Sequence, residues 1–126
     1  MNLKTESNGG SVIIFVREER LDAHNSGELK TEMNRLFDAG SINLIIDLKE
    51  ARFIDSSGLG VLVSGFKNAS TRQGSIKLSG LQTQVKSMFE LTRLHRVFDI
   101  FQQWMMLWRA CKAGSAFVAG GTYYEG

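Results

Sequence analysis

The chain has 126 residues, of which 43% are hydrophobic and 22% charged, and its formal net charge is +2. This length supports one domain, and the apolar share is ordinary for a soluble protein. The small net charge and the dispersed Lys and Arg residues argue against direct binding of nucleic acid. Residues 1–10 lack an apolar signal core, and no apolar run approaches the roughly 20 residues of a membrane span. We therefore expect a cytoplasmic protein without membrane contact.

The apolar pattern predicts strands that alternate with helices. Residues 11–16 are β-branched and aromatic, as is typical of a strand, and their near-continuous apolarity indicates that both faces are covered. Further strands are predicted at residues 44–48, around residues 76–78 and at residues 97–101. Because helical segments of about 10–15 residues separate the strands, we expect parallel pairing with right-handed crossovers for most of an α/β sheet.

Helices are predicted between the strands and after the last one. Asn25 is interpreted as the N-cap of the first helix, with Glu28 completing a capping box, and Gly40 as its end. The second helix ends near Gly74, and the last spans residues 102–112. The residues expected to face inward are Leu29, Met33, Leu36 and Phe37 in the first helix, Leu59, Leu62, Phe66 and Ala69 in the second, and Val85, Met88, Phe89 and Thr92 in the third.

The end of the chain differs from the rest in composition. Residues 114–126 are rich in small residues, so we expect one domain at residues 1–112 and a flexible tail at residues 113–126. The apolar run at residues 104–108 has two interpretations: a helix packed on the sheet, or an extra contact surface for a homodimer or a second partner. The single Cys111 excludes an internal disulfide and a cysteine-cluster metal site, and we expect no cofactor.

Residues 54–60, Ile-Asp-Ser-Ser-Gly-Leu-Gly, are the most informative segment. They lie where a strand gives way to a helix, so free backbone N–H groups and the positive end of the helix dipole meet there. A hydroxyl at this point is exposed, tolerates added negative charge and is accessible to a partner. These properties favour a phosphorylation switch over a hydrolytic site.

Residues 53–62 resemble the signature of bacterial anti-sigma factor antagonists, the single-domain members of the STAS family. The likeness extends to residues 20–23, 44–48, 74–78 and 85–98, covers about residues 11–101, and ends at residue 102. It implies a STAS-type fold, with a mixed, mostly parallel sheet of four to five strands and about four helices.

The resemblance assigns the phosphoacceptor to Ser56, directly after Asp55, with Ser57 as its neighbour at the helix start. The alternative for these three residues is helix capping, for which Asp and Ser are favoured. Gly58 and Gly60 would let a partner approach the backbone closely, or would simply fit the helix start against the sheet.

Two further acids and one helix face complete the candidate site. Asp22 matches the family's acidic residue in the first long loop, or else satisfies local N–H groups. Asp47 is either a strand-end carboxylate near the site or, as we favour, a solvated edge. With the apolar side of the second helix assigned to the core, the residues expected to face outward and dock a partner are Val61, Ser64, Gly65 and Asn68.

The resemblance implies a binding module rather than an enzyme. Its unphosphorylated form would bind an anti-sigma factor that is also a serine kinase, freeing the sigma factor; phosphorylation of Ser56 would end binding, and a serine phosphatase would reset the switch. The alternative is a STAS scaffold or transporter accessory subunit without phosphorylation. A hydrolase is disfavoured because Ser56 lacks a Gly-x-Ser-x-Gly context, and because His24 and His95 lie in no recognisable constellation. We expect His95 to face solvent.

Overall fold

The structure is a computed structural model, and it describes residues 2–8 and 10–101. From residue 11 onward the main-sheet strands and the helices follow one another as the apolar pattern predicts. One six-residue strand before residue 11 and two strands of two residues each are additional. In chain order the elements are β1 (Leu3–Asn8), β2 (Ser11–Val16), β3 (Arg20–Leu21), α1 (Ser26–Asp38), β4 (Asn43–Asp47), β5 (Phe53–Ile54), α2 (Ser56–Thr71), β6 (Ser75–Ser79), α3 (Thr83–Leu91), a 3-10 turn (Leu94–Arg96) and β7 (Asp99–Phe101).

The main sheet has five strands in the order β1-β2-β4-β6-β7. Strand β1 pairs antiparallel with β2, while the pairs β2–β4, β4–β6 and β6–β7 are parallel. The prediction of a mixed, mostly parallel sheet is confirmed. Strands β3 and β5 form a separate parallel pair of two residues each, and this small pair carries the candidate site.

Strand β1 was not predicted from the sequence. Its residues are Leu-Lys-Thr-Glu-Ser-Asn. Residues 4–7 are polar and exposed, and Leu3 packs against the core. The strand forms because β2 offers an edge to pair with: Leu3 lies opposite Val16 and Asn8 opposite Ser11. Backbone pairing within a hairpin therefore sets this strand, and an apolar pattern does not mark it.

The core lies between the sheet and the helices. Ile13 and Ile14 point to opposite sides of β2 and both are fully buried, which confirms that both faces of this strand are covered. The inward residues predicted for α1 are all buried, and so are Leu59, Leu62 and Ala69 of α2 and Val85 and Phe89 of α3, with Phe66 and Met88 partly buried.

Two predictions at element ends need correction, and one is confirmed. Thr92 is exposed, because α3 ends at Leu91 and the Thr92 hydroxyl donates to the Met88 carbonyl at 2.9 Å. The last described strand starts at Asp99 rather than at Val97, since a 3-10 turn precedes it. Gly40 ends α1 as expected, with φ of +95°. The predicted helix at 102–112 and tail at 113–126 lie outside the described residues.

None of the helices within residues 2–8 and 10–101 is both long and apolar enough to cross a bilayer.

Candidate functional site

The paired strands β3 and β5 place two acidic residues side by side. Arg20 lies opposite Phe53 and Leu21 opposite Ile54, so Asp22 and Asp55 each follow the end of one strand. The Asp55 N–H donates to the Leu21 carbonyl at 3.2 Å, which continues the pairing by one residue. Leu21 and Ile54 are buried and anchor the pair. Sequence-distant Asp22 is thereby brought to the same strand edge as residues 55–57.

Asp55 is the N-cap of helix α2. Its backbone is extended, with φ −98° and ψ −174°, and its Oδ1 accepts a hydrogen bond from the Gly58 N–H at 3.0 Å. The capping interpretation therefore holds for Asp55. Ser56 is the first residue of the helix and is exposed, while Ser57 is half-buried. The acid performs the capping, and the Ser56 side chain is open to solvent at the positive end of the helix dipole.

The two motif glycines have different surroundings. A Cβ on Gly58 would lie 2.6 Å from the Leu21 carbonyl oxygen and 2.9 Å from Cγ2 of Ile54, so this glycine is needed to fit the helix against the strand pair. A Cβ on Gly60 would meet nothing within 4 Å, and Gly60 is exposed. Only Gly60 leaves room for a partner to approach the helix backbone.

Asp22 organises the loop that follows β3. Its Oδ1 accepts from the His24 N–H at 3.0 Å, and its Oδ2 lies 3.5 Å from the Arg20 Nε. The hydrogen bond from the His24 backbone holds the pKa of the Asp22 carboxyl below its usual value, and Arg20 adds to this effect. Asn25 sits at the N-cap position, but its side chain accepts from the Asp22 N–H and donates to the Arg20 carbonyl. The predicted side-chain cap by Asn25 is therefore wrong: its amide closes the loop instead.

An aromatic and a cation that sequence reasoning missed flank the site. The Arg20 guanidinium carbon lies 4.4 Å from the centre of the Phe53 ring, a cation–π distance. Phe53 is 39% exposed, whereas its neighbour Ile54 is buried. Because side chains alternate along β5, Phe53 points outward. The Phe that directly precedes residues 54–60 is the feature of the sequence that could have identified this contact.

The predicted docking face of α2 is wrong for Val61 and Gly65. Val61 is only 9% exposed, and a Cβ on Gly65 would lie 2.8 Å from the Met33 sulfur of α1. Asn68 is half-buried, with its Nδ2 3.5 Å from the Asn34 Oδ1 of α1. Helix α1 covers this side, which single-helix periodicity does not reveal. Ser64 is half-buried.

The exposed side of α2 begins at Ser56 itself. The exposed residues Ser56, Gly60, Lys67 and Thr71 recur at helical spacing, and we call them the outer stripe of α2. The half-buried Val63 and Ser64 border this stripe.

Asp47 corrects another expectation. It is 5% exposed at the end of the central strand β4, accepting from the Lys49 N–H at 2.9 Å and from the Ser79 hydroxyl at 3.4 Å. The favoured interpretation, a solvated edge, is wrong because β4 lies between β2 and β6.

His95, expected to face solvent, is half-buried, with Nδ1 3.4 Å from the Phe89 carbonyl oxygen. The described residues contain no cluster of three or more metal-ligating side chains of the His, Cys, Asp and Glu types.

Comparison with known proteins gives consistent matches. A family model described as the STAS domain matches residues 2–104. The anti-sigma-B factor antagonist of Listeria monocytogenes is 37% identical over 87 residues, covering 69% of this chain and 75% of that protein. A Thermotoga maritima crystal structure described as an anti-sigma factor antagonist gives a TM-score of 0.77 at 22% identity, covering 85% of this chain and 92% of that one. Bacillus SpoIIAA in its phosphorylated form gives 0.68 at 17% identity, covering 86% and 99%.

A mixed sheet and a separate strand pair that presents a capped helix N-terminus agree with these matches. The chain belongs to the STAS domain family. Its sequence places it among that family's anti-sigma factor antagonists, and the resemblance inferred from residues 53–62 is confirmed. The structural likenesses, both under 25% identical, support the fold.

Proposed function

We propose that this chain is a phosphorylation-controlled anti-sigma factor antagonist that works by binding rather than by catalysis. In its unphosphorylated form it binds an anti-sigma factor that is also a serine kinase, and the sigma factor is released in the cytoplasm. The observation that carries the proposal is the exposed Ser56 at the start of α2, directly after the capping Asp55. The names of its relatives and the existence of a phosphorylated SpoIIAA support it.

The switch follows from charge at this helix terminus. Phosphorylation of Ser56 adds about −1.5 to −2 charge at pH 7. The helix N-terminus tolerates this charge in the free protein, because unpaired N–H groups and the helix dipole face it. Against a docked partner the same charge would be desolvated beside Asp55, which costs several kcal/mol unless the partner pairs with it. Binding is therefore lost on phosphorylation and recovered when a serine phosphatase removes the phosphate.

Ser56 is expected to be the phosphoacceptor, and a phosphorylation assay tests this. The cognate kinase is first identified by pull-down from the native cell and mass spectrometry, and is then purified. Incubation with ATP and magnesium, followed by peptide mapping, should place phosphate on Ser56. Ser56→Ala should abolish the transfer, while the matched control Ser57→Ala, which changes the half-buried neighbour, should retain it.

Two other outcomes would contradict Ser56 as the phosphoacceptor or phosphorylation as the switch. Phosphate on Ser57 alone, or transfer that survives Ser56→Ala, would contradict Ser56 as acceptor. A partner that binds but never transfers phosphate would favour the alternative of a phosphorylation-independent scaffold or transporter accessory subunit.

A further inference from the structure

Phe53 is an exposed aromatic directly beside the proposed switch. Among the residues whose side-chain burial the structure describes, the exposed large hydrophobic side chains are Phe53, Leu91 and Val97. Leu91 ends α3, and Val97 follows the 3-10 turn. Phe53 instead lies on β5, three residues before Ser56 in sequence. An aromatic side chain that is 39% exposed this close in sequence to a functional site is a candidate partner contact, because aromatic residues are enriched at interfaces.

Arg20 holds this aromatic in a defined arrangement. Its guanidinium stacks over the Phe53 ring at 4.4 Å and its Nε lies 3.5 Å from Oδ2 of Asp22, while 62% of its side chain remains exposed. The pairing of β3 with β5 sets the two residues directly opposite each other. The stack is therefore ordered before any partner arrives, and little conformational entropy remains to be lost on binding.

We propose that Arg20 and Phe53 form the anchor through which a protein partner grips the Ser56 surface, the partner supplying an apolar pocket for the ring and a carboxylate for Arg20. This inference rests on the proposed function and names its contact chemistry. Aromatic and Arg side chains are enriched at interfaces, and a few such residues supply most of the binding energy. The Arg20 side chain is 62% exposed, and the planar guanidinium group has N–H groups spaced to pair with a carboxylate.

The anchor also explains why phosphorylation of Ser56 acts on the whole contact. The strand pair that carries Arg20 and Phe53 continues directly into the Asp55 cap and Ser56. A partner seated on the stack is therefore expected to cover the start of α2, three residues further along the chain. A phosphate on Ser56 then lies inside the covered area, where its bulk and charge oppose the same docking.

Isothermal titration against the purified cognate kinase, without ATP, tests the anchor. Phe53→Ala should weaken binding by about 30-fold or more, the effect typical of an interface hot spot. Phe53→Trp keeps an aromatic face and should bind within a few-fold of the wild type. The matched control Leu91→Ala removes an exposed apolar side chain at the end of α3 and should bind as the wild type does.

Variants of Arg20 test the other half of the anchor. Arg20→Gln should weaken binding, and Arg20→Lys should restore only part of it, because an ammonium keeps the charge but not the planar stack. If circular dichroism shows that Phe53→Ala melts at a lower temperature, its weaker binding could reflect a damaged fold. The affinity of Arg20→Gln then tests the anchor. Wild-type affinity for both Phe53→Ala and Arg20→Gln would overturn the anchor. If the anchor fails in this way but the wild type still binds, and loses binding on Ser56 phosphorylation, the proposed function stands. A wild type that binds no anti-sigma factor would remove both.

Discussion

Helix α2 carries glycines and short side chains on two of its sides, joined by Lys67 on one of them, and the sides differ in what lies against them. Gly65 and Asn68 lie toward α1, where the Met33 sulfur and the Asn34 amide meet them. The buried Val61 shares their helix face by its spacing. The outer stripe, which starts at Ser56, faces solvent. Small residues serve close helix packing on the first side and leave an accessible surface on the second. Composition alone does not separate the two uses; the neighbouring helix does.

The largest expected contrast comes from adding a charge to each side. Val61→Arg would place a guanidinium in a buried position, and we expect the free energy of unfolding to fall by about 3–5 kcal/mol. The matched variant Thr71→Arg, on the outer stripe, should change it by less than about 0.5 kcal/mol. Urea denaturation followed by circular dichroism measures both.

The same two variants can contradict this arrangement. Similar stability of Val61→Arg and the wild type would mean that α2 is rotated about its axis, with the Val61 side open. A large loss of stability in Thr71→Arg would mean that the outer stripe is buried rather than exposed to solvent.

Substitutions of Gly58 and Gly60 should change stability by smaller amounts and in opposite directions. Gly58→Ala should destabilise the protein by about 1–3 kcal/mol, because the new methyl would meet the Leu21 carbonyl, a backbone atom that cannot move cheaply. Gly60→Ala meets nothing within 4 Å, and should stabilise the helix by up to about 1 kcal/mol. Melting temperatures should therefore move in opposite directions, and a shift in the same direction would contradict the assigned surroundings.

A smaller effect is expected when charge is added at the start of the outer stripe. Ser56→Asp should weaken binding of the cognate kinase by about tenfold, less than true phosphorylation, because one carboxylate carries only part of the charge of a phosphate. Ser56→Ala should bind constitutively. Isothermal titration measures both, with circular dichroism to verify the fold. Equal affinities of the two variants would exclude the electrostatic mechanism.

The sequence predicted the features that depend on local pattern. The strand at residues 11–16 and the buried stripe of α1 follow from periodicity, and the start of α2 follows from the preference of Asp55 for a cap position. The family resemblance identified the same helix start as the site. These features need no knowledge of what lies across the fold.

The features that the sequence missed depend on contact with another element of the fold. Strand β1 exists through its pairing with β2, and Asp47 is buried because strands lie on both sides of β4. The sequence predicts Val61 at the surface because Leu59, Leu62, Phe66 and Ala69 already form one apolar stripe along α2. Helix α1 widens the buried side, and the Arg20–Phe53 stack likewise joins residues that are 33 positions apart.

The contact between the Asn34 and Asn68 side chains sets the edge of the side covered by α1, and it gives the smallest effect. At 3.5 Å this hydrogen bond is long and part-buried, so it is weak. Asn68→Ala should lower the free energy of unfolding by less than about 1 kcal/mol, and the coupling with Asn34→Ala in a double-mutant cycle should be about 0.5 kcal/mol or less. Binding of the cognate kinase should not change, because Asn68 lies toward α1. A loss of binding at unchanged stability would instead return Asn68 to the docking surface, and would extend the partner contact from the outer stripe across the groove between the two helices.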